Sequence, residues 1–317
     1  MNALRQTICA ALALGLVGGA ASAETRVTYK SAKSGSSYYQ MGVELAEAMK
    51  AGSGGDISVT VEESQGSVQN VMEVRARGAD YVFTTPPSLV GLAQNGKAMF
   101  EGKTAPAFDE IRALFPIPSL TMHFVMSQDS GATALADLEG KSILLGKGSF
   151  GATEGAKYLD MFGLADSVEI ADAELSNAVA ALKNGQIDGF VTAGSFPAPN
   201  VVEAAASTPV TVVPLSDEQI TQSKRTRIVI PAGTYAGQEQ DVTTTSLPVV
   251  AFTTTKMDDE TAYQLTKTYW ENKAKMADTS PWWGNVTPEL MANITTELHP
   301  GALRYYEEAG IATETSQ

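Results

Sequence analysis

The sequence predicts an α/β protein of two lobes joined by two extended crossings. Three observations predict it. Strand-like and helix-like segments alternate from Thr25 onward. A long extended region interrupts the alternation, which then restarts. A second extended apolar run, LPVVAFTTTK, later echoes the first.

The first segment, TRVTYKSA, alternates as a strand and ends in the small polar loop Ser34-Gly35-Ser36-Ser37. A helix follows from Tyr38, with Met41, Leu45, Ala48 and Met49 on one face at helical spacing. DISVTVEES is a second strand, alternating Ile57, Val59 and Val61. Gln65-Gly66-Ser67 leads from it into the helix SVQNVMEVRARG. DYVFTT is a third strand, followed by Pro86-Pro87 and the helix SLVGLAQNG. Three β–loop–α units in a row require a parallel sheet with helices on its faces.

IRALFPIP and TMHFVMSQDSG then read as two strands of a connecting region. Alternation resumes with SILLG, the helix ATEGAKYLDMF, the strand SVEIA, the helix ELSNAVAALKNG and the strand IDGFVTAG. VTVVPLS and RIVIP are further strands. After LPVVAFTTTK the chain closes with helices from Asp258 to about Met276, around Pro288 to Ile294, and from Pro300 to Glu308. This organisation assigns residues 24–121 and 248–317 to one lobe and 122–247 to the other.

The first residues read as an export leader, 1–23. Arg5 gives a charged start, ICAALALGLVGG is an apolar run too short to span a bilayer comfortably, and Ala21-Ser22-Ala23 is a small-residue cleavage site. Cleavage after Ala23 predicts a periplasmic protein. Cys9, the one cysteine of the chain, leaves with the leader, so disulfides, thiolate metal sites and cysteine nucleophiles are excluded. The remaining roughly 290 residues are long for one core, which again favours two lobes. They carry 21 basic and 36 acidic residues, a net charge of −15. Such a surface repels nucleic acid and anionic lipid.

Catalytic signals are sparse. His123 lies in a strand-like run and His299 before Pro300, and neither sits in a metal-ligand or protease motif. There is no G-x-S-x-G nucleophile elbow and no phosphate loop of the Walker type. Glu62-Glu63 and Asp258-Asp259 read as solvated surface pairs. The chain is therefore expected not to be an enzyme, and to need no cofactor and no metal. One motif pulls the other way: Gly146-x-Gly148-x-x-Gly151, after an apolar run and before a helix, with Asp172 at the spacing of a dinucleotide fingerprint. An exported nucleotide-dependent oxidoreductase is the alternative it raises.

A different loop chemistry recurs more widely. Ser34–Ser37, Gln65–Ser67, Thr84–Thr85, Ser149–Thr153 and Thr192–Ser195 each follow a strand and precede a helix or turn. In a parallel sheet such loops share one edge, where ligands bind. Small residues let backbone N–H groups approach, and helix starts carry partial positive charge. The same residues also cap helices and make turns. Five such loops on the facing edges of two lobes argue for an anion cradle.

These residues resemble the substrate-binding receptors of TRAP transporters, of the TAXI family, over nearly the whole chain. Gly35-Ser36-Ser37-Tyr38-Tyr39 resembles that family's glycine-rich loop ending in Thr-Tyr-Tyr, and Gly66-Ser67-Val68-Gln69-Asn70 its second helix start. Leu135 to Lys141 and Asn184 to Gly189 are shared more broadly. Ile230 to Gln238 and Leu298 to Tyr306 are the more particular matches. The resemblance implies a bilobed periplasmic binding protein (type II) that holds a small carboxylate or amino acid, glutamate-like or dicarboxylate, between its lobes and delivers it to a TRAP membrane permease. It implies ligand contacts at Ser36, Ser37, Tyr38, Gln65, Ser67, Asn70 and Thr84 or Thr85 in the first lobe. In the second lobe it implies Ser149, Gly151, Ala152, Thr153, Thr192, Ala193 and Gly194. Tyr38 either covers the ligand or packs into its own lobe. Trp282 and Trp283 are expected in packing or a docking surface. A sensory ligand-binding module has the same fold with another partner. The first loop has fewer glycines than the family pattern, and GKGSFGATE is one residue longer with Phe150 inserted.

Overall fold

The computed structural model describes residues 24–34, 36–147 and 149–313. The leader assigned to residues 1–23 lies outside them. In chain order the first lobe opens with β1 (Thr25–Lys30), α1 (Ser37–Gly52), β2 (Ile57–Glu62), α2 (Ser67–Glu73), β3 (Tyr81–Thr85) and α3 (Pro87–Gln94). β1 pairs in parallel with both β2 and β3. Every loop after these strands therefore opens on one edge of the sheet, as the β–loop–α alternation predicts.

The connecting region is one long strand, β4 (Ile111–Ser127), where the sequence predicts two. Pro116 and Pro118 suggest a break, because proline donates no hydrogen bond to a ladder. The strand nevertheless continues past them, and carbonyls on either side find donors outside the sheet. Tyr306, Tyr269 and Tyr38 donate their hydroxyls, each at 2.7 Å, to the carbonyls of Leu114, Pro116 and Pro118. Burial pushes the pKa of all three tyrosines upward, which keeps them protonated donors.

The second lobe follows as β5 (Ser142–Leu144), α4 (Phe150–Met161), β6 (Glu169–Ala171), α5 (Ala178–Lys183), β7 (Gly189–Gly194), α6 (Pro199–Ser207), β8 (Val210–Val213), α7 (Asp217–Ser223) and β9 (Thr226–Ile230). β5 pairs in parallel with β6 and β7. α6 and α7 have no counterpart in the sequence reading. α6 starts on Pro199, a residue favoured in the first helical turn. α7 starts on a capping box, with Gln219 N–H donating to Ser216 Oγ and Ser216 N–H to Gln219 Oε1. Those signals are legible; the segments are short and their apolar periodicity is weak.

β10 (Val242–Thr254) returns to the first lobe, and α8 (Asp259–Thr279) and α9 (Pro300–Ala309) close the chain. The segment Pro288–Asn293, predicted as a helix, is a single run of the tighter 3-10 form. The strands form one curled sheet in the order β2-β1-β3-β10-β4-β7-β5-β6, with β8 against β4 and β9 against β10. Among the described strands, β4 and β10 are the two that run through both lobes. Their antiparallel ladder slips between Leu247 and Val249, opposite Pro118 and beside Pro248. The larger core lies under α1, α8 and α9 and reaches the α4 side of the second lobe; a smaller one fills the face under α5 and α6.

The two motifs most particular to the family resemblance both turn out to be supports. In Ile230 to Gln238, Tyr235 accepts a hydrogen bond from Ala198 N–H (3.0 Å) and donates to His123 Nε2 (2.8 Å). His123 Nδ1 lies 3.1 Å from the carbonyl of Thr121, which fixes it as the donor. In Leu298 to Tyr306, Gly301 lets α9 touch α8, since a Cβ there would overlap the Asp259 carbonyl. Trp282 and Trp283 are buried, and both indole N–H groups donate to Glu44. Among the described residues no helix is long and apolar enough to cross a membrane.

Burial pulls the His123 pKa down from 6.5 to about 4. Between those values the unfolded chain takes up a proton that the native chain refuses, so stability is present above pH 6.5 and lost as pH falls toward 4. Integrated over the window this is about 3 kcal/mol. In urea titrations across it, a His123→Gln variant is expected to show a shallower acid loss than wild type by up to that amount. Parallel pH profiles would contradict the assignment.

Candidate functional site

The strand-end loops of the two lobes face each other across a cavity of about 310 Å³, small-ligand size. Its first-lobe wall is built by the loop after β1. Ser31 Oγ donates to the Tyr38 carbonyl (2.5 Å), and Ser36 caps α1, its Oγ accepting from Tyr39 N–H. Asn70 stitches the neighbouring loops together. Its buried side-chain amide donates to the carbonyls of Ser31 (2.8 Å) and Thr84 (2.9 Å). Ser64 Oγ donates to the Ser31 carbonyl and accepts from Gly66 N–H. Gly66 begins α2 at φ 112°, with no side-chain cap on the helix. A side chain at that φ would be strained.

From the second lobe, Ser149 caps α4, its Oγ accepting from Ala152 N–H at 2.9 Å. Gly151 brings α4 against the end of β7, where a Cβ would lie 3.1 Å from Ala193 N. The starts of α1, α2 and α4 thus all open on the cavity through Ser36, Gly66 and Ser149. Uncapped or partly capped helix starts present backbone donors and positive potential, the chemistry that holds a carboxylate.

Of the residues predicted at the site, Ser36, Tyr38, Gln65, Ser67 and Thr84 line the cavity from the first lobe, and Ser149, Gly151 and Ala193 from the second. Tyr38 is buried and lines the cavity, and its hydroxyl donates to the Pro118 carbonyl. Thr85 and Thr192 are buried within their strands, and Ala152 packs against the core. Thr153 is exposed and lines an adjoining recess. Ser37 and Gly194 meet at the seam between the lobes: Ser37 Oγ accepts from Ser195 N–H (3.3 Å), and a Cβ on Gly194 would run into Ser37 Oγ.

The cavity also holds residues the sequence reading leaves out. Lys33 crosses from the first lobe to the second, donating to the Lys147 carbonyl (3.0 Å) and to Glu174 (2.7 Å). It is the one cation among the described lining residues. Glu63 accepts from both the backbone N–H and the hydroxyl of Ser34 (3.1 and 3.3 Å). Glu174, Leu175 and Ser176 belong to the loop after β6, and the rule that strand ends carry ligand loops would have found them. Leu120 and Val249, on the two crossings, line it as well. Asp172, the acidic residue of the dinucleotide pattern, lies at the surface paired with Lys147 and outside this lining.

The seam at Gly194 gives a direct test of lobe closure. A Gly194→Val substitution is expected to hold the lobes apart and to raise the radius of gyration in small-angle scattering, with the melting temperature little changed. An unchanged radius would mean that the seam does not govern the approach of the lobes.

Comparison with solved structures agrees with this architecture. The periplasmic binding protein BugD superposes with a TM-score of 0.55 over 91% of this chain and 98% of its own, at 13% identity. MatC from Rhodopseudomonas palustris, solved with bound malate, gives 0.51 over 90% and 96%, at 14% identity. Both likenesses establish the two-lobed periplasmic binding-protein fold. A family model described as NMT1-like matches residues 30–310, nearly the whole described length, and the chain belongs to the NMT1-like family.

Proposed function

We propose that this protein is a periplasmic solute receptor, exported by the leader 1–23, which captures a small organic anion or amino acid between its lobes. The observation that carries the reading is the convergence of three helix starts, from both lobes, with Lys33 on one cavity. A carboxylate there receives backbone donors and a cation at once. Glu63 adds a carboxylate that suits an ammonium, so a glutamate-like amino acid fits as well as a dicarboxylate. The malate bound by MatC supports the dicarboxylate class.

In this proposal residues 24–121 and 248–317 form one lobe and 122–247 the other. The ladder slip between Leu247 and Val249 supports a hinge at that boundary. Ligand bridging both lobes stabilises the closed form, in which Lys33 reaches Glu174. The closed receptor then docks on a TRAP-type permease, as the TAXI resemblance implies. No catalytic role is assigned to any residue.

A thermal-shift screen of the refolded, ligand-stripped protein tests the reading. Amino acids, mono- and dicarboxylates, sugars and NAD(P) form the panel. A ligand of the native state raises the melting temperature once its concentration exceeds its Kd. We expect a shift with glutamate, malate or a relative, weakened about tenfold in Kd by Lys33→Gln. A shift with NAD(P) alone would sink the receptor reading.

A further inference from the structure

A second recess, of about 550 Å³, adjoins the first and shares Gln65, Ser67 and Ser149 with it. One wall is apolar and belongs to the first lobe: Val68, Leu89, Leu92 and Met99, continued by Leu247 of the crossing strand. The opposite wall is the face of α4 that carries Ser149, Thr153 and Lys157, each one helical turn beyond the last. Eight residues at 1.5 Å each set Lys157 about 12 Å along the axis from the start of the helix.

The far end of the recess is charged. Glu154, 1% exposed, is paired with Arg225 at 2.7 Å and with Lys157 at 2.6 Å. These are the titratable groups lining the recess. Two cations around one buried carboxylate leave a local excess of one positive charge. Arg225 spends one terminal nitrogen on Glu154, and its other donors have no partner among the described side-chain hydrogen bonds. Apolar walls ending in a cation pair match an apolar chain ending in an anion.

We infer that the ligand is an elongated α,ω-diacid, or its α-amino counterpart. Its head group sits in the first cavity, its methylene chain lies on the apolar wall, and its distal carboxylate meets Lys157 and Arg225. This rests on the receptor reading above and narrows it, since glutamate or malate fills the first cavity alone. Each methylene buried on the wall adds affinity until the distal carboxylate reaches the cations.

Calorimetric titration of the ligand-stripped protein with two ladders tests this. The first is succinate, adipate, suberate and sebacate. The second is glutamate, α-aminoadipate and α-aminosuberate. Within the ladder that binds, a longer member is expected to bind at least tenfold tighter than the shortest. Lys157→Gln is expected to remove most of that gain while leaving the shortest member's Kd unchanged, and Leu92→Asp to do the same through the apolar wall. If short members bind and longer ones bind no better, the second recess is not a ligand site and the receptor reading stands. If length improves binding equally in wild type and Lys157→Gln, the distal carboxylate does not use these cations and the inference is overturned. If neither ladder binds at all, the receptor reading fails with it.

Discussion

Tyr306, Tyr269 and Tyr38 hold the carbonyls of Leu114, Pro116 and Pro118, and much of the molecule depends on that arrangement. A strand that passes from one lobe to the other must give up part of its ladder where the sheet changes partners. Prolines suit such a point because they have no donor to leave unpaired, but their carbonyls still need partners in a buried setting. Each tyrosine supplies one, from α9, α8 and α1 respectively. The closing helices are thereby tied to the crossing strand close to the slip beside Pro248. Tyr38 links this support to the cavity, which it lines while its hydroxyl holds the strand.

The site itself is assembled by loop-to-loop hydrogen bonding within each lobe. Asn70 is the centre of this in the first lobe, binding the ends of β1 and β3 through one side-chain amide. The donors it arranges come from backbone and from small residues, so the cavity needs little charge of its own. Lys33 supplies what charge there is, and in the closed arrangement it spends that charge on Glu174 across the cleft. Exposed on one side, such a pair contributes about 0–1 kcal/mol. In the proposed closure that is enough to bias the lobes together and too little to lock them, which leaves ligand contacts to decide the equilibrium.

Much of this was legible in the sequence because strand–loop–helix repetition fixes which edge of a sheet carries ligand. The loops at Ser36, Ser67 and Ser149 follow from that rule alone. Three kinds of feature were not legible. Pro116 and Pro118 read as a strand break because the tyrosines that bind their carbonyls, Tyr269 and Tyr38, lie 153 and 80 positions away. Glu63 reads as solvated surface charge, and nothing local marks Lys33 or Glu174 as lining the same cavity. Ile230 to Gln238 and Leu298 to Tyr306 stand out in the sequence as the more particular matches, but their chemistry is support: Tyr235 steadies His123, and Gly301 lets two helices touch.

If ligand closes one lobe on the other, the distance between the lobes must report it. Residues 24–317 contain no cysteine, so Glu47→Cys on α1 and Val202→Cys on α6 give a clean pair of spin-label sites. Pulsed electron–electron distance measurements would be made on stripped protein and at saturation with a ligand found by calorimetry. The account predicts a broad distribution that shortens and narrows when ligand binds. An identical distribution in both states would contradict it.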